Sequence, residues 1–142
     1  MKDLDSDHVD ELLEAIEESQ QISSLTLSGT GCDNYFATLI FNLLESNTCI
    51  NMLDISDNEL IGDNSLDALC DMIEHNSTLK TLFINGTNFS AELGMKRILQ
   101  SFIQSNNTIC TFIVDKNKIL SEEDVERFDQ KLSQNQLLHS SE

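Results

Sequence analysis

The chain has 142 residues, no proline, 25 acidic and 8 basic side chains, and a formal net charge of −17. A surface this acidic repels nucleic-acid phosphates and anionic membranes, and no apolar stretch is long enough to span a bilayer. The length fits one domain with a continuous core, and we expect neither nucleic acid nor membrane among its partners.

Residues 1–20 are predicted to form an amphipathic helix. Its buried face is predicted from apolar residues at helical spacing, namely Val9, Leu12, Ala15 and Ile16. These residues lie 57 positions before an equivalent apolar set at Leu66, Leu69, Met72 and Ile73. We therefore interpret residues 1–20 as the capping helix of a truncated leading unit.

From residue 21 onward, one pattern recurs four times, with apolar residues at its first, fourth and sixth positions and Asn or Thr at its ninth. The copies are Ile22, Leu25, Leu27, Thr30; Ile50, Leu53, Ile55, Asn58; Leu79, Leu82, Ile84, Thr87; and Ile109, Phe112, Val114, Asn117. Their starts are 28, 29 and 30 residues apart. The alternating apolar pair in each copy predicts a short strand with one buried face.

Each strand is followed by one more apolar position and then by a helix. The apolar position is predicted to be filled by Cys32, Leu60, Phe89 and Ile119. Spacings of three and four then predict four amphipathic helices, whose starts include Ser90 and the Ser121–Asp124 capping box. Helices are predicted to end at turn-forming residues three positions before the next copy, at Asn47, Asn76 and Asn106.

A chain that alternates strands and helices at this period must stack its units to bury their apolar faces. The repeats resemble leucine-rich repeats of the ribonuclease-inhibitor type. Segments such as 79–89 are also similar to the repeat domains of tropomodulin-like actin regulators. The resemblance implies a right-handed α/β solenoid with four parallel strands on the concave face and about five helices on the convex face. We assign residues 21–136 to four repeats and residues 137–142 to a C-terminal tail.

The four cysteines, Cys32, Cys49, Cys70 and Cys110, include no Cys-x-x-Cys pair. We predict that they are small buried hydrophobic residues, which excludes a disulfide framework or a zinc site and favours a reducing compartment. The first residues carry no apolar run behind a basic segment, so we expect no secretory signal. A cytoplasmic location follows from both observations.

The charge is distributed unevenly along the chain. Residues 1–79 hold 17 acids and 1 base, whereas residues 80–142 hold 8 acids and 7 bases. The acidic half favours a partner with a basic, or mixed basic and apolar, face and would accelerate the encounter. Alternatively, the acids of the first helix form only a solubilising surface.

The sequence contains no recognisable catalytic chemistry. It has no glycine-rich phosphate loop, nucleophile elbow or His-x-x-x-His pair, and we expect neither a cofactor nor a metal. A GTPase-activating role would require an arginine in a loop after a strand. The available Arg97 and Arg127 both fall in predicted helices. The protein is therefore predicted not to be an enzyme.

The candidate site is the concave face, which displays the strand residues that lie between the buried ones. Phe83 and Ile113 are predicted to be neighbours there, with Met52 diagonal to Phe83. This apolar group is surrounded by polar residues, and together they make up the predicted binding site: Met52, Asp54, Phe83, Asn85, Ile113 and Asp115. An apolar patch on such a sheet predicts a protein contact.

The sequence thus predicts an intracellular protein-interaction module that binds its partner on the concave face. Three alternatives stay open: an actin-cytoskeleton regulator of the tropomodulin-like type, a GTPase-activating repeat protein, and a structural module that self-assembles through its open sheet edges. For the main hypothesis we expect a monomer or weak self-association.

Overall fold

A computed structural model describes residues 6–140 of the chain. The helices are α1 (Ser6–Glu18), α2 (Asn34–Leu44), α3 (Leu66–His75), α4 (Lys96–Ser105) and α5 (Glu122–Leu138). The strands are β1 (Ser24–Thr26), β2 (Met52–Asp54), β3 (Thr81–Phe83) and β4 (Thr111–Ile113). Short helical turns at Asp63–Ser65 and Lys116–Lys118, and a π-helical turn at Ala91–Met95, connect strands to helices.

The four strands form one parallel sheet in the order β1-β2-β3-β4. Their central residues are in register across the sheet and buried, in the order Leu25, Leu53, Leu82 and Phe112. The residues on either side of each centre are exposed or half-buried. This alternation buries one face of the sheet against the helices, so the predicted α/β repeat fold is confirmed.

The core continues through the inward faces of the helices, which carry the apolar residues predicted from spacings of three and four. At the C-terminal end, Phe102 of α4, Phe112 of β4 and Phe128 of α5 form an aromatic cluster with ring centroids 5.1 to 5.6 Å apart. Phe102 and Phe128 are completely buried. Edge and tilted aromatic contacts of this kind contribute about 0.5–1.5 kcal/mol each beyond the burial of their area.

The asparagines predicted at the helix ends join successive repeats. The side-chain oxygen of Asn106 accepts hydrogen bonds from the backbone N–H groups of Thr108 and Ile109, while its amide donates to the carbonyl of Ile73 in the preceding repeat. Asn76 makes the same bonds one repeat earlier, to Thr78, Leu79 and Leu44. Because these side chains are buried, each satisfies backbone groups that water cannot reach.

The residue that closes each strand also affects how the repeats are joined. Asn58 donates to the carbonyls of Leu27 and Ile55 and accepts from the N–H of Cys32, which connects two repeats. The hydroxyls of Thr30 and Thr87 each donate to a carbonyl of their own repeat. A hydroxyl has one donor where a carboxamide has two, and these bonds of Thr30 and Thr87 stay within their own repeat.

The prediction that Leu60 fills a core position was wrong. Leu60 is 62% exposed, and Ile61 takes the buried position that Cys32 and Phe89 occupy in other repeats. The N–H of Ile61 donates to the carbonyl of Asn58, so residues 58–61 form a four-residue turn that ends at the buried Ile61. The turn contains one residue more than its counterparts, and Leu60 therefore faces solvent. Spacing along the sequence does not reveal this extra residue.

Two further side-chain predictions were wrong. In α1, Ala15 is exposed, and Leu13 packs against the core beside the predicted Val9, Leu12 and Ile16. Cys32 and Cys70 are buried as predicted, but Cys49 and Cys110 are only half-buried. Both lie just before a strand, where the chain turns at the edge of the sheet.

Helix starts follow the predicted caps. The Ser121 hydroxyl accepts from the N–H of Asp124, and the Ser90 hydroxyl accepts from Leu93 and Gly94. Ser90 caps the π-helical turn Ala91–Met95, and α4 begins directly after this turn. Asp33, which was not predicted as a cap, performs the same role for α2 by accepting from the N–H of Phe36.

The last helix ends at Leu138, two residues beyond the repeat boundary assigned at 136. Its buried side chains are Phe128 and Asn135, whereas Leu137 and Leu138 are 76% and 64% exposed. Within the described part of the chain, no helix is both long enough and apolar enough to span a membrane.

Candidate functional site

The outer face of the sheet, which points away from the helices, carries the predicted site residues in ordered rows. Strand register places Thr26, Asp54, Phe83 and Ile113 side by side in one row. The neighbouring row is Ser24, Met52, Thr81 and Thr111. Phe83 and Ile113 are therefore adjacent, and Met52 is diagonal to Phe83, as the sequence predicted.

Met52, Phe83 and Ile113 form an apolar group on this face, here called the sheet-face patch. Ile113 is 42% exposed, and Phe83 and Met52 are half-buried. The patch lies on strands β2 to β4, and the corresponding β1 residues are the exposed Ser24 and Thr26. The sheet therefore offers an apolar surface next to a polar one.

The polar residues around the patch are held by hydrogen bonds within the fold. The Asp54 carboxylate accepts from the N–H and hydroxyl of Ser56, at 2.9 and 2.6 Å. The Asp115 carboxylate accepts from the N–H of Gly86 at 3.0 and 3.2 Å. These bonds use part of each carboxylate to shape the turns after the strands, which gives Asp54 and Asp115 a structural role besides any contact with a partner.

Asn85 lies at the edge of the site, where the strand β3 turns toward the next helix. Its carbonyl accepts from the N–H of Asp57, and the Ser56 carbonyl accepts from Gly29 in the same way one repeat earlier. A third row, just after the strands, consists of Ser28, Ser56, Asn85 and Asp115. In it the hydroxyls of Ser28 and Ser56 lie 3.0 Å apart. The hydrogen-bonded turns thus extend the ladder beyond the strands and fix the border of the sheet-face patch.

The sheet-face patch is not covered by the end of the chain that the structure describes. Leu137 and Leu138 belong to α5 and remain largely exposed. Helix α5 contacts the inner side of the sheet through Phe128, which packs against Phe112 of β4, and its Gln136 amide donates to the carbonyl of Cys110 just before β4. The outer face is therefore open in the described part of the molecule.

The arginines considered for a GTPase-activating role both lie on helices. Arg97 of α4 donates to the Asp67 carboxylate at 2.7 Å, and this hydrogen bond raises the pKa of the guanidinium. Arg127 of α5 lies 4.0 Å from Asp124. Among residues 6–140, no group of histidine, cysteine and carboxylate side chains is arranged to hold a metal ion.

The sequence reasoning missed a second set of exposed apolar side chains. They lie between a strand and the buried part of the next helix, and they are Tyr35, Leu60, Leu93 and Leu120, each 53 to 71% exposed. Tyr35 is out of phase with the apolar spacing of its helix, α2, which was the available sign that it faces solvent. Leu60 and Leu120 lie in connections outside the helices, where no such spacing applies.

Comparison with known proteins gives fold similarity and no family match. No protein-family model matches the sequence, and no curated protein matches it. Among solved structures, actin-binding site 2 of leiomodin-1 superposes with a TM-score of 0.72 at 15% identity, covering 93% of this chain and 91% of that chain. The tropomodulin C-terminal domain of Caenorhabditis elegans superposes with a TM-score of 0.69 at 14% identity, covering 94% of this chain and 99% of that chain.

These similarities identify the fold as the leucine-rich-repeat-like fold of the tropomodulin C-terminal domain. They agree with the tropomodulin-like resemblance noted in the sequence; the two structures do not confirm the ribonuclease-inhibitor type. Each match covers more than nine-tenths of this chain and of the solved structure.

Proposed function

We propose that this chain is a non-enzymatic protein-interaction module and that the sheet-face patch is its binding surface. The observation that supports the proposal most is the exposure of Ile113, at 42%, beside Phe83 on the outer face of a parallel sheet. An aromatic residue with an aliphatic neighbour, surrounded by polar side chains, has the composition of an interface centre. The fold comparisons support a protein-binding role in general.

The partner that fits this surface has an apolar anchor and basic groups around it. Asp54 and Asp115 lie on either side of the patch, and residues 1–79 carry most of the net charge of −17. Opposite charge accelerates association and disfavours acidic competitors. The four free cysteines support a reducing compartment, and we propose the cytoplasm.

The test is a paired substitution, Phe83→Ser with Ile113→Ser. Both side chains lie on the outer face, so the free energy of unfolding should fall by only about 1 kcal/mol, as for exposed substitutions. Loss of a central anchor costs about 2 kcal/mol or more, so affinity for the physiological partner should fall at least about thirtyfold. Affinity capture from the organism's lysate, followed by titration of the captured protein, measures the effect.

The matched control is Glu14→Ser with Glu17→Ser, which changes two exposed residues of α1 and leaves the sheet untouched. It should leave affinity near that of the wild type at physiological salt. Unchanged binding by a folded Phe83/Ile113 variant would exclude the sheet face as the site.

A second candidate function is actin binding, which the likeness to actin-binding site 2 of leiomodin-1 favours. In this version of the proposal, actin is the protein that contacts the sheet-face patch. Titration of labelled wild-type protein with purified monomeric actin, and sedimentation with actin filaments, test it directly. If the protein binds neither monomeric actin nor actin filaments, actin is rejected as the partner and the general proposal still stands.

A further inference from the structure

A groove runs between α4 and α5, on the helical side of the molecule and away from the sheet-face patch. It consists of two adjoining hollows of about 220 and 240 Å³, which share Lys96, Leu99 and Asp124 as lining residues. One hollow extends to Gln104 and Arg127, and the other extends to the loop before α5. The corresponding surface between α3 and α4 is bridged by the Arg97–Asp67 and Ser101–Glu74 hydrogen bonds.

The floor of the groove is apolar. Leu99 and Met95 are buried at its base, and Ile103 is half-buried along its length. Leu120 forms part of the wall next to the loop and is 64% exposed, although nothing in the predicted helix pattern requires a leucine there. An exposed leucine above a buried apolar floor offers hydrophobic area to a ligand that covers both.

The charged side chains that line this groove are mainly basic, in contrast to the acidic chain as a whole. Lys96, Lys118 and Arg127 line the groove and make up three of the eight basic residues in a chain of net charge −17. One acid, Asp124, lies among them. Arg127 is 4.0 Å from Asp124, and Lys118 is 4.0 Å from Asp115. Both separations are too long for hydrogen bonds. Lys118 is half-buried and its ammonium already donates to the carbonyl of Thr87 at 3.1 Å, so of these two cations an incoming carboxylate can compete for Arg127.

We propose that the α4–α5 groove binds an acidic amphipathic helix supplied by a partner protein. Residues 96–104 of α4 span about 12 Å, which matches two to three turns of a docked helix. In such a complex, apolar residues at helical spacing cover Leu99, Ile103 and Leu120, while flanking carboxylates face Lys96 and Arg127. The chain as a whole repels acidic peptides, so the basic residues of the groove make it the place where an acidic helix would bind.

The test uses a fluorescent peptide of about 15 residues, with leucine at helical spacing and glutamate elsewhere. We expect saturable binding despite the net charge of the protein, with amide NMR shifts concentrated in α4, α5 and the loop before α5. Lys96→Glu with Arg127→Glu should weaken binding at least about tenfold, because two attractive contacts become repulsive. Both side chains are exposed, and circular dichroism will verify that the variant stays folded.

The control variant is Lys116→Glu with Lys131→Glu, which makes the same change in net charge at residues outside the groove lining. It should change affinity by less than about threefold. The Phe83/Ile113 double variant should bind the peptide like the wild type, so the two surfaces are tested independently. Absence of binding, equal weakening by both charge-reversal variants, or shifts located on the sheet face would each overturn the proposal.

Discussion

Three residues in equivalent turns adopt positive φ where the chain leaves a strand: Gly29 at 63°, Asp57 at 57° and Gly86 at 73°. Glycine adopts this conformation without strain, and aspartate tolerates it better than most residues. Two of these residues bond the border of the sheet face, because the N–H of Gly86 donates to the Asp115 carboxylate and the N–H of Asp57 donates to the carbonyl of Asn85. Backbone conformation at single residues thus contributes to the shape of the candidate site.

Alanine should cost more at Gly86 than at Gly29. At Gly86 an added Cβ would lie 3.0 Å from the backbone nitrogen and 3.1 Å from the Cα of Asp57, whereas at Gly29 it would meet no atom within 4 Å. We expect the free energy of unfolding to fall by about 1 kcal/mol in Gly29→Ala, from the positive φ alone, and by about 2–3 kcal/mol in Gly86→Ala. Urea unfolding measures both values, and equal costs would contradict the close approach of the two turns.

At the scale of the element, the helix-ending asparagine is the unit that joins one repeat to the next. Asn47, Asn76, Asn106 and Asn135 are spaced by 29, 30 and 29 residues, so Asn135 in α5 keeps the register. Its amide donates to the carbonyl of Asn106 in the preceding repeat, as the Asn76 amide donates to the carbonyl of Asn47, and it also donates to the carbonyl of Ile109. Because α5 continues to Leu138, the Asn135 side-chain oxygen has no partner within the described residues.

Asn106→Ala should be strongly destabilising. The substitution leaves the N–H groups of Thr108 and Ile109 and the carbonyl of Ile73 without their partner in a site that is 2% exposed. We expect a loss of about 3 kcal/mol, the cost of several unsatisfied buried groups. Asn47→Ala removes two similar bonds at a half-exposed position and should cost about 1 kcal/mol. Thermal unfolding of both variants provides the comparison, and a smaller loss at Asn106 would refute this account.

At the scale of the whole molecule, the repeat period made most of the fold predictable. The strands, their register and the order of the sheet follow from apolar positions that recur every 28 to 30 residues. The error at Leu60 arose because one turn contains an extra residue. Such an insertion changes which side chain faces the core while it lengthens the repeat by a single residue, which lies within the variation of 28 to 30 residues between repeats. The exposed Leu120 and the α4–α5 groove were also unpredictable, since they depend on how two helices pack.

The same reasoning explains how much of the candidate site was predictable. Neighbours on the sheet face follow from strand register, so the placement of Phe83 beside Ile113 is confirmed. The bonds of Asp54 to Ser56 and of Asp115 to Gly86 depend on turn geometry, which the residue pattern does not contain. Whether the sheet-face patch binds a partner stays a prediction, because a fold with 14 to 15% identity to its solved neighbours specifies architecture alone.

The most direct test of the central claim is photo-crosslinking from the sheet face. A photoreactive phenylalanine analogue at position 83 would lie in the proposed interface, and the same analogue in place of the exposed Asp71 on α3, outside the α4–α5 groove, provides the control on the helical side. After irradiation with the captured partner, we expect a covalent adduct from position 83 and none from position 71. An adduct from position 71 alone, with none from position 83, would contradict binding at the sheet face.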